Sequence, residues 1–105
     1  MVARVTFAEI DPVRTRIDEA ISQYKQSVIP ELHEQDGYEG CYILTTPEGK
    51  VAVITFWEDD DTADAGVKSG YYAAQVKKFL TFYRAAPGRE TYEVSLAEAP
   101  AITIG

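Results

Sequence analysis

Residues 50–57, KVAVITFW, constrain the fold more than any other stretch of the chain, because six of the eight side chains are apolar. A β-strand sends successive side chains to opposite faces of its sheet, so this strand is apolar on both faces. The preceding Pro47-Glu48-Gly49 is typical of a tight turn, and residues 38–46 predict the other strand of a hairpin. If helices cover one face, the other face needs a cover too, and a second copy of the chain is the simplest one.

A strand and a long helix are predicted before this hairpin. Residues 2–9 alternate in the pattern of a strand, and Asp11-Pro12 is typical of a helix start, where an acid caps free N–H groups and proline misses none. Pro30 predicts a kink or a break in the helix, and Gly37 predicts its end. Apolar residues recur at spacings of three or four along one helix face: Val13, Ile17, Ile21, Tyr24, Val28 and Leu32.

After the hairpin, the chain returns to a helix and then a strand. A helical region is predicted from about residue 60, and Gly66 and Gly70 divide it into a short helix and a longer one over 71–85. Pro87-Gly88 ends the longer helix, and residues 89–96 predict the last strand.

The order β-α-β-β-α-β predicts an α+β fold of the ferredoxin-like type, with a four-stranded antiparallel sheet and both helices on one face. A chain of 105 residues is long enough for one such domain. We expect residues 1–96 to form the domain and residues 97–105 to form a C-terminal tail.

Composition argues against several classes of partner. The net charge is −7, and no basic stripe exists that could displace counterions from nucleic acid or bind an anionic membrane. The single cysteine, Cys41, fits a reducing compartment. No N-terminal apolar leader and no apolar run long enough to span a bilayer occurs in the sequence, so we expect a cytoplasmic protein without nucleic-acid or membrane partners.

Four segments together resemble the antibiotic-biosynthesis-monooxygenase-like group of dimeric α/β barrels. They are VIPELHEQDGYEG at 28–40, TTPEGK at 45–50, FWEDDDTA at 56–63 and RETYEV at 89–94. The resemblance covers residues 2–96 and implies a homodimer whose sheets pair back to back into a barrel, with a pocket between sheet and helices. Activities known in this group include cofactor-independent oxidation of aromatic polyketides and heme degradation, and many members have no assigned reaction.

The sequence departs from the heme-degrading members in three positions that matter. Those proteins use an asparagine on the first strand, and a tryptophan and a heme-ligating histidine in the helical region. This chain contains no asparagine, its only histidine is His33, and its only tryptophan, Trp57, ends a strand. The polyketide-oxidising members also use an asparagine near the pocket. We therefore assign no catalytic residue from the resemblance, and we expect no bound cofactor.

The acids Glu58-Asp59-Asp60-Asp61 allow two interpretations. A cation site needs oxygens that converge on one point, whereas consecutive acids diverge along a strand and lie about 100° apart around a helix. The other interpretation is that Asp59 or Asp60 caps the next helix while the remaining acids occupy its first turn, near the positive end of its dipole. We favour the cap and expect no metal site.

His33 and Cys41 carry little catalytic signal. His33 is the one side chain with an unperturbed pKa near neutrality, but it lies among polar residues at a helix end, where a cation is favoured, so we expect it to be solvated or capping. Cys41 has no basic residue beside it in sequence that would lower its pKa, so we expect it to be buried and inert.

Aromatic residues remain as candidates for a ligand pocket between sheet and helices. Trp57 is either a packing anchor or a flat wall for an aromatic ligand. Tyr24, Phe79 and Tyr83 lie on core-facing helix stripes and either line a pocket or belong to the core. Arg84 follows Tyr83 and is a candidate for orienting a phenol. The candidates are Tyr24, Trp57, Phe79, Tyr83 and Arg84. The expected function is small-molecule binding as in cofactor-independent monooxygenases of aromatic or polyketide-like substrates; the alternative is a non-catalytic ligand-binding or dimerisation module.

Overall fold

The computed structural model of the protein describes residues 1–10, 17–68 and 88–98. The predicted helix start at Asp11-Pro12 and the predicted helix over 71–85 lie outside these residues. The described elements are β1 Val2–Glu9, α1 Ile17–Ser27, α2 Ile29–His33, β2 Tyr38–Thr45, β3 Lys50–Trp57, α3 Asp60–Lys68 and β4 Gly88–Glu93.

One antiparallel sheet joins the four strands in the order β2-β3-β1-β4. The first and third strands are therefore central neighbours, and β2 and β4 form the edges. This is the strand order of a ferredoxin-like sheet, so the predicted α+β fold class is confirmed. No helix in the described part of the chain is long and apolar enough to cross a membrane.

The β2–β3 hairpin closes as the sequence predicts. The N–H of Gly49 donates to the carbonyl of Thr46 at 3.0 Å, and the N–H of Thr46 donates to the carbonyl of Lys50 at 3.0 Å. Gly49 has a φ of 95°, a conformation that glycine adopts without the steric cost of a Cβ atom. The register set by this turn pairs Thr45 with Val51.

The first helical region breaks where Pro30 predicts it. The helix α1 ends at Ser27 and the short helix α2 begins at Ile29. Proline has no N–H to donate to the carbonyl four residues earlier, so the helix cannot continue regularly through this point. The break does not open the core, because Val28, between the two helices, is fully buried.

The helix-facing side of the sheet carries the core. At one end Val51 packs with Ile10 and Ala20, and Val53 packs against this group. At the other end of the sheet, a second cluster packs α2 and α3 against β1 and β3. Its buried members are Val2, Val28, Leu32, Trp57 and Ala63. All three described helices thus lie over the same face of the sheet.

The opposite side, here called the open face, is apolar and uncovered in the single chain. Phe7 and Leu44 are 51% and 54% exposed, and Tyr42 contacts Phe56 edge to face with ring centroids 5.8 Å apart. Register places Ile54 between Val5 and Tyr42 on this face. The predicted division of the third strand is therefore confirmed, because Val51 and Val53 face the helices while Ile54 does not.

The last strand is shorter than predicted. It ends at Glu93, whereas the sequence pattern extends to Leu96. Glu93 pairs with Val2, the first residue of β1, and the N–H of Val94 donates to the carbonyl of Met1 at 3.1 Å. The last strand thus ends opposite the first residue of β1, and Leu96 is exposed.

Candidate functional site

The acids after Trp57 form a helix cap. The Oδ1 atom of Asp59 accepts a hydrogen bond from the N–H of Thr62 at 2.8 Å, and the Oγ1 atom of Thr62 accepts one from the N–H of Asp59 at 3.3 Å. This reciprocal pair is a capping box with threonine at its third helical position. The same bond to the Thr62 N–H holds the pKa of Asp59 below its ordinary value.

Asp60 and Asp61 occupy the first turn of α3, as predicted, where the helix dipole favours negative charge. Within residues 1–10, 17–68 and 88–98, no group of three or more histidine, cysteine, aspartate or glutamate side chains is arranged to hold a metal ion. The hydrogen bonds of Asp59 and the positions of Asp60 and Asp61 confirm the capping interpretation of the acids.

Trp57 lies inside the core rather than at its surface. Its exposed fraction is 4%, and it packs among side chains of β1, α2 and α3. The indole Nε1 donates to the Oγ1 of Thr55 at 2.9 Å, which satisfies its only polar group. These contacts fit a packing anchor, and the role as a pocket wall stays a prediction.

An aromatic row leads from Trp57 toward the helix end. Tyr38 contacts Trp57 edge to face with centroids 5.7 Å apart, and His33 contacts Tyr38 in the same way at 5.6 Å. Burial raises the pKa of Tyr38 to about 12, and the nearby Cys41 adds to this effect. His33 is exposed at the end of α2, which agrees with its predicted solvated position. Tyr38 was not among the sequence candidates, although it follows Gly37 directly and pairs across strands with Trp57.

Tyr24 and Cys41 meet between helix and sheet. The Tyr24 hydroxyl lies 3.8 Å from the Sγ of Cys41, and Tyr24 packs against the cluster that contains Trp57. Burial raises the pKa of Cys41, and the hydrogen bond with Tyr24 opposes this effect in part. A thiol in this environment stays protonated at neutral pH, as predicted for an inert cysteine.

A row of polar residues crosses the helix-facing side of the sheet, one residue from each strand. Cross-strand register places Cys41 beside Thr55, Thr55 beside Arg4, and Arg4 beside Thr91. We call these four residues the polar row. The neighbouring row toward the hairpin has the apolar pair Ile43 and Val53 on β2 and β3, and it continues with Thr6 on β1 and Arg89 on β4.

Arg4 is the most buried member of the polar row, with an exposed fraction of 8%. Its Nη1 donates to the carbonyl of Ala63 at 2.9 Å, its Nη2 donates to the Oδ1 of Asp64 at 2.6 Å, and its Nε donates to the Oγ1 of Thr91 at 3.2 Å. The guanidinium therefore joins β1 to α3 and β4. Sequence reasoning missed Arg4, although the alternation of β1 places it on the same face as the buried Val2.

Of the predicted pocket residues, the structure brings Tyr24 and Trp57 to the same end of the helix-facing side. Phe79, Tyr83 and Arg84 lie outside the described residues. The polar row adds Arg4, Thr55 and Cys41 to the side chains that face the helices.

No protein-family model matches the chain, and no curated protein sequence matches it. Solved structures do resemble it. A protein of unknown function from Nitrosomonas europaea, NE2512, superposes with a TM-score of 0.71 at 20% identity, over 95% of this chain and 94% of that one.

Two oxygenases resemble the chain to a similar degree. SnoaB from Streptomyces nogalater, a cofactor-independent oxygenase in its N63A mutant form, has a TM-score of 0.73 at 11% identity, over 91% of this chain and 94% of SnoaB. The ActVA-Orf6 monooxygenase of Streptomyces coelicolor, in complex with the ligand nanaomycin D, has a TM-score of 0.69 at 17% identity, over 95% and 91% of the two chains. The chain therefore has the fold of antibiotic-biosynthesis-monooxygenase-like proteins, as its sequence motifs predict.

Proposed function

We propose that this protein binds an aromatic, phenol-bearing molecule between its sheet and helices and oxidises it with O₂ without a bound cofactor. The observation that carries the proposal is the polar row with the adjacent Tyr24 hydroxyl, in a fold shared with a cofactor-independent oxygenase and with a monooxygenase that binds nanaomycin D. Arg4, Cys41 and Thr55 are the members of the row that are not exposed.

Polar side chains under a helical layer cost free energy unless they are paired, so an interface that serves only packing is expected to be apolar. On β2 and β3 the pair Ile43 and Val53 meets this expectation, whereas the next pair toward Trp57, Cys41 and Thr55, does not. In a ligand site, by contrast, a few placed polar groups in a mainly apolar lining fix the orientation of the ligand. This change from an apolar to a polar pair supports a binding site at the Trp57 end of the sheet.

The proposed reaction uses the substrate as the source of electrons. For an anthrone-type substrate, one CH₂ group and one O₂ give one C=O group and one water, so one oxygen atom enters the substrate and the other leaves as water. Loss of the phenolic proton makes the ring electron-rich enough to reduce O₂. The protein contributes a site that excludes water and groups that orient the phenol and help to remove its proton.

Candidate residues for these roles follow from the sequence. Tyr24, Tyr83 and Arg84 are the proposed groups that orient the phenol, and Trp57 and Phe79 are the proposed walls. Tyr24 is supported by its place beside the polar row. We assign no general base.

We also propose that the protein is a homodimer through its open faces. Exposed Phe7, Tyr42 and Leu44 make this face unusually apolar for a surface in contact with water. A two-fold pairing of identical faces covers it on both copies at once. The same pairing would place the two helical layers on the outside of a barrel.

Oxygen consumption by the full chain with 1,8-dihydroxyanthrone, an anthrone that carries phenolic hydroxyls, tests the function, with formation of 1,8-dihydroxyanthraquinone followed by absorbance. We expect turnover that Tyr24→Phe lowers about tenfold, since one orienting hydrogen bond is removed and the ring remains. Tyr42→Phe is the matched control, because it removes the same atom on the open face and is expected to leave turnover unchanged.

Absence of turnover combined with tight binding of the aromatic product would favour the alternative, a non-catalytic binding module. The absence of asparagine from the chain favours this alternative, because the described oxidising members of the resembling group use one near the pocket. If neither turnover nor binding of the dihydroxyanthrone or the dihydroxyanthraquinone is detected, the aromatic-pocket proposal is wrong.

A further inference from the structure

We propose that Arg4 is the group that binds the ionised oxygen of the substrate, and that Asp64 is a counter-ion which the substrate displaces. This inference rests on the proposed function, because it assumes an aromatic phenol between sheet and helices. It adds the residue that would recognise the ionised form of that molecule.

Arg4 carries a charged group in a buried position. An arginine side chain remains charged at any pH at which the protein is folded, so its burial demands compensation. Arg4 is buried on the helix-facing side beside Val2, where packing alone favours an apolar residue. Its compensation comes from α3 and β4, the two elements that flank residues 69–87 in the chain, where Phe79, Tyr83 and Arg84 lie.

The guanidinium of Arg4 donates several hydrogen bonds at once. Arginine has five N–H groups in a planar fork. Three of them donate to Ala63, Asp64 and Thr91. An oxygen ligand that replaced Asp64 would leave the contacts to Ala63 and Thr91 in place.

The two partners of the ion pair differ in their exposure to water. Asp64 contacts Arg4 through one oxygen, and its side chain is 52% exposed, whereas that of Arg4 is 9% exposed. Water can replace Arg4 as the partner of Asp64, so the carboxylate can leave at little cost. Arg4 has no such alternative, and an anionic ligand is the partner that would replace Asp64 best.

The polar row also relates Arg4 to Tyr24. Adjacent strands lie about 4.8 Å apart, so the backbones at Cys41 on β2 and Arg4 on β1 are separated by roughly 10 Å across β3. The Tyr24 hydroxyl lies at Cys41, whereas the guanidinium reaches toward α3 and β4. A ligand that contacts both groups therefore needs oxygen atoms at its two ends and at least this length, as in a fused-ring aromatic with a hydroxyl at one end and a phenolate at the other.

A purely structural role for the ion pair makes a different prediction. If Arg4 and Asp64 only tie α3 to the sheet, then loss of either side chain loosens the site and weakens binding. If Asp64 is a displaceable counter-ion, loss of its charge strengthens the binding of an anion, whereas loss of Arg4 weakens it. The sign of the Asp64 effect therefore separates the two roles.

The experiment titrates 2,6-dihydroxyanthraquinone, whose hydroxyls lie at opposite ends of the fused rings, bound to the full-length protein, since the phenol and phenolate forms of this probe absorb at different wavelengths. We expect wild-type protein to lower the pKa of the bound probe. Arg4→Gln is expected to weaken phenolate binding about tenfold to a hundredfold, as for loss of a charge-assisted hydrogen bond. Asp64→Asn is expected to strengthen it severalfold, and Arg4→Lys to retain part of the pKa shift.

The dimethyl ether of the probe, which cannot ionise, is the control ligand, and neither variant is expected to change its affinity. Weaker phenolate binding in both Arg4→Gln and Asp64→Asn, or unchanged binding in both, overturns the assignment of Arg4 while the proposed function stands. No binding of probe or ether by wild-type protein overturns the proposed function and the assignment with it. If Arg4→Gln does not fold, the exposed Asp64→Asn decides alone by its sign.

Discussion

The two faces of the sheet are built from the same strands but meet different surroundings. On the helix-facing side, Trp57 is buried at 4% exposure by helices of its own chain. On the open face, the neighbouring Phe56 contacts Tyr42, and Phe7 and Leu44 remain half exposed. One face is therefore completed by folding, and the other stays uncovered in the single chain.

The two faces also differ in polarity, and the covered face is the more polar one. The covered face contains a charged arginine and a row of polar side chains, whereas the uncovered face is mainly aromatic and aliphatic. Exposure to water normally favours the reverse distribution. The inversion points to a protein contact on the open face and a polar ligand contact on the covered one.

Replacement of Trp57 by alanine tests the difference in packing and is expected to have the largest effect. The loss of a buried aromatic side chain lowers the free energy of unfolding by about 3–5 kcal/mol, because a cavity remains among Val28, Leu32 and Ala63. Phe56→Ala, on the adjacent strand position, is the matched control. Urea unfolding of both variants at low protein concentration should show the smaller loss for Phe56→Ala, and equal losses would contradict the distinction between the faces.

Replacement of Leu44 by aspartate tests the proposed partner of the open face. In a single chain the change lies on an exposed surface and costs little, about 0.5 kcal/mol or less. In a dimer it buries an unpaired charge, which costs roughly 3–5 kcal/mol, so the dissociation constant should rise at least a hundredfold.

Sedimentation velocity at micromolar concentration measures the outcome for Leu44→Asp. Ser22→Asp adds the same charge on the exposed surface of α1 and is expected to leave a dimer intact. Wild-type protein that sediments as a monomer would remove the basis of the dimer proposal, whatever the variants do.

The fold follows from local patterns in the sequence. The apolar run of β3, the turn closed by Gly49 and the break at Pro30 each depend on neighbouring residues, so the pattern predicts them directly. The end of β4 depends instead on where β1 begins, since its last paired residue faces Val2. Pattern alone therefore extends that strand too far.

The polar row could not be predicted in the same way. Strict alternation in β2 places Tyr38 and Gly40 on one face and Cys41 on the other. The structure has a register irregularity between Tyr38 and Gly40, so Tyr38 pairs with Trp57 while Cys41 pairs with Thr55 two residues earlier in β3. Tyr38 and Cys41 thus share the helix-facing side, and no local sequence signal marks this irregularity.

The pH dependence of stability tests the burial of Tyr38 on the covered face, and its expected effect is the smallest of those considered. Burial raises its pKa to about 12 from the ordinary value near 10, so the unfolded chain loses this proton before the folded chain does. The contribution of this pKa shift to the free energy of unfolding is fully present below about pH 10. It disappears as the pH rises toward 12, because the unfolded state binds fewer protons than the folded state in that interval. Since part of the ring reaches solvent, we expect the effect to stay below about 1 kcal/mol.

Tyr38→Phe removes the ionisable hydroxyl and keeps the edge-to-face contact with Trp57. Its unfolding free energy should therefore fall less steeply than that of wild-type protein between pH 10 and 12, as measured by urea unfolding monitored by circular dichroism. If Tyr38→Phe follows the same slope as wild-type protein between pH 10 and 12, burial at the Trp57 end does not raise the pKa of Tyr38.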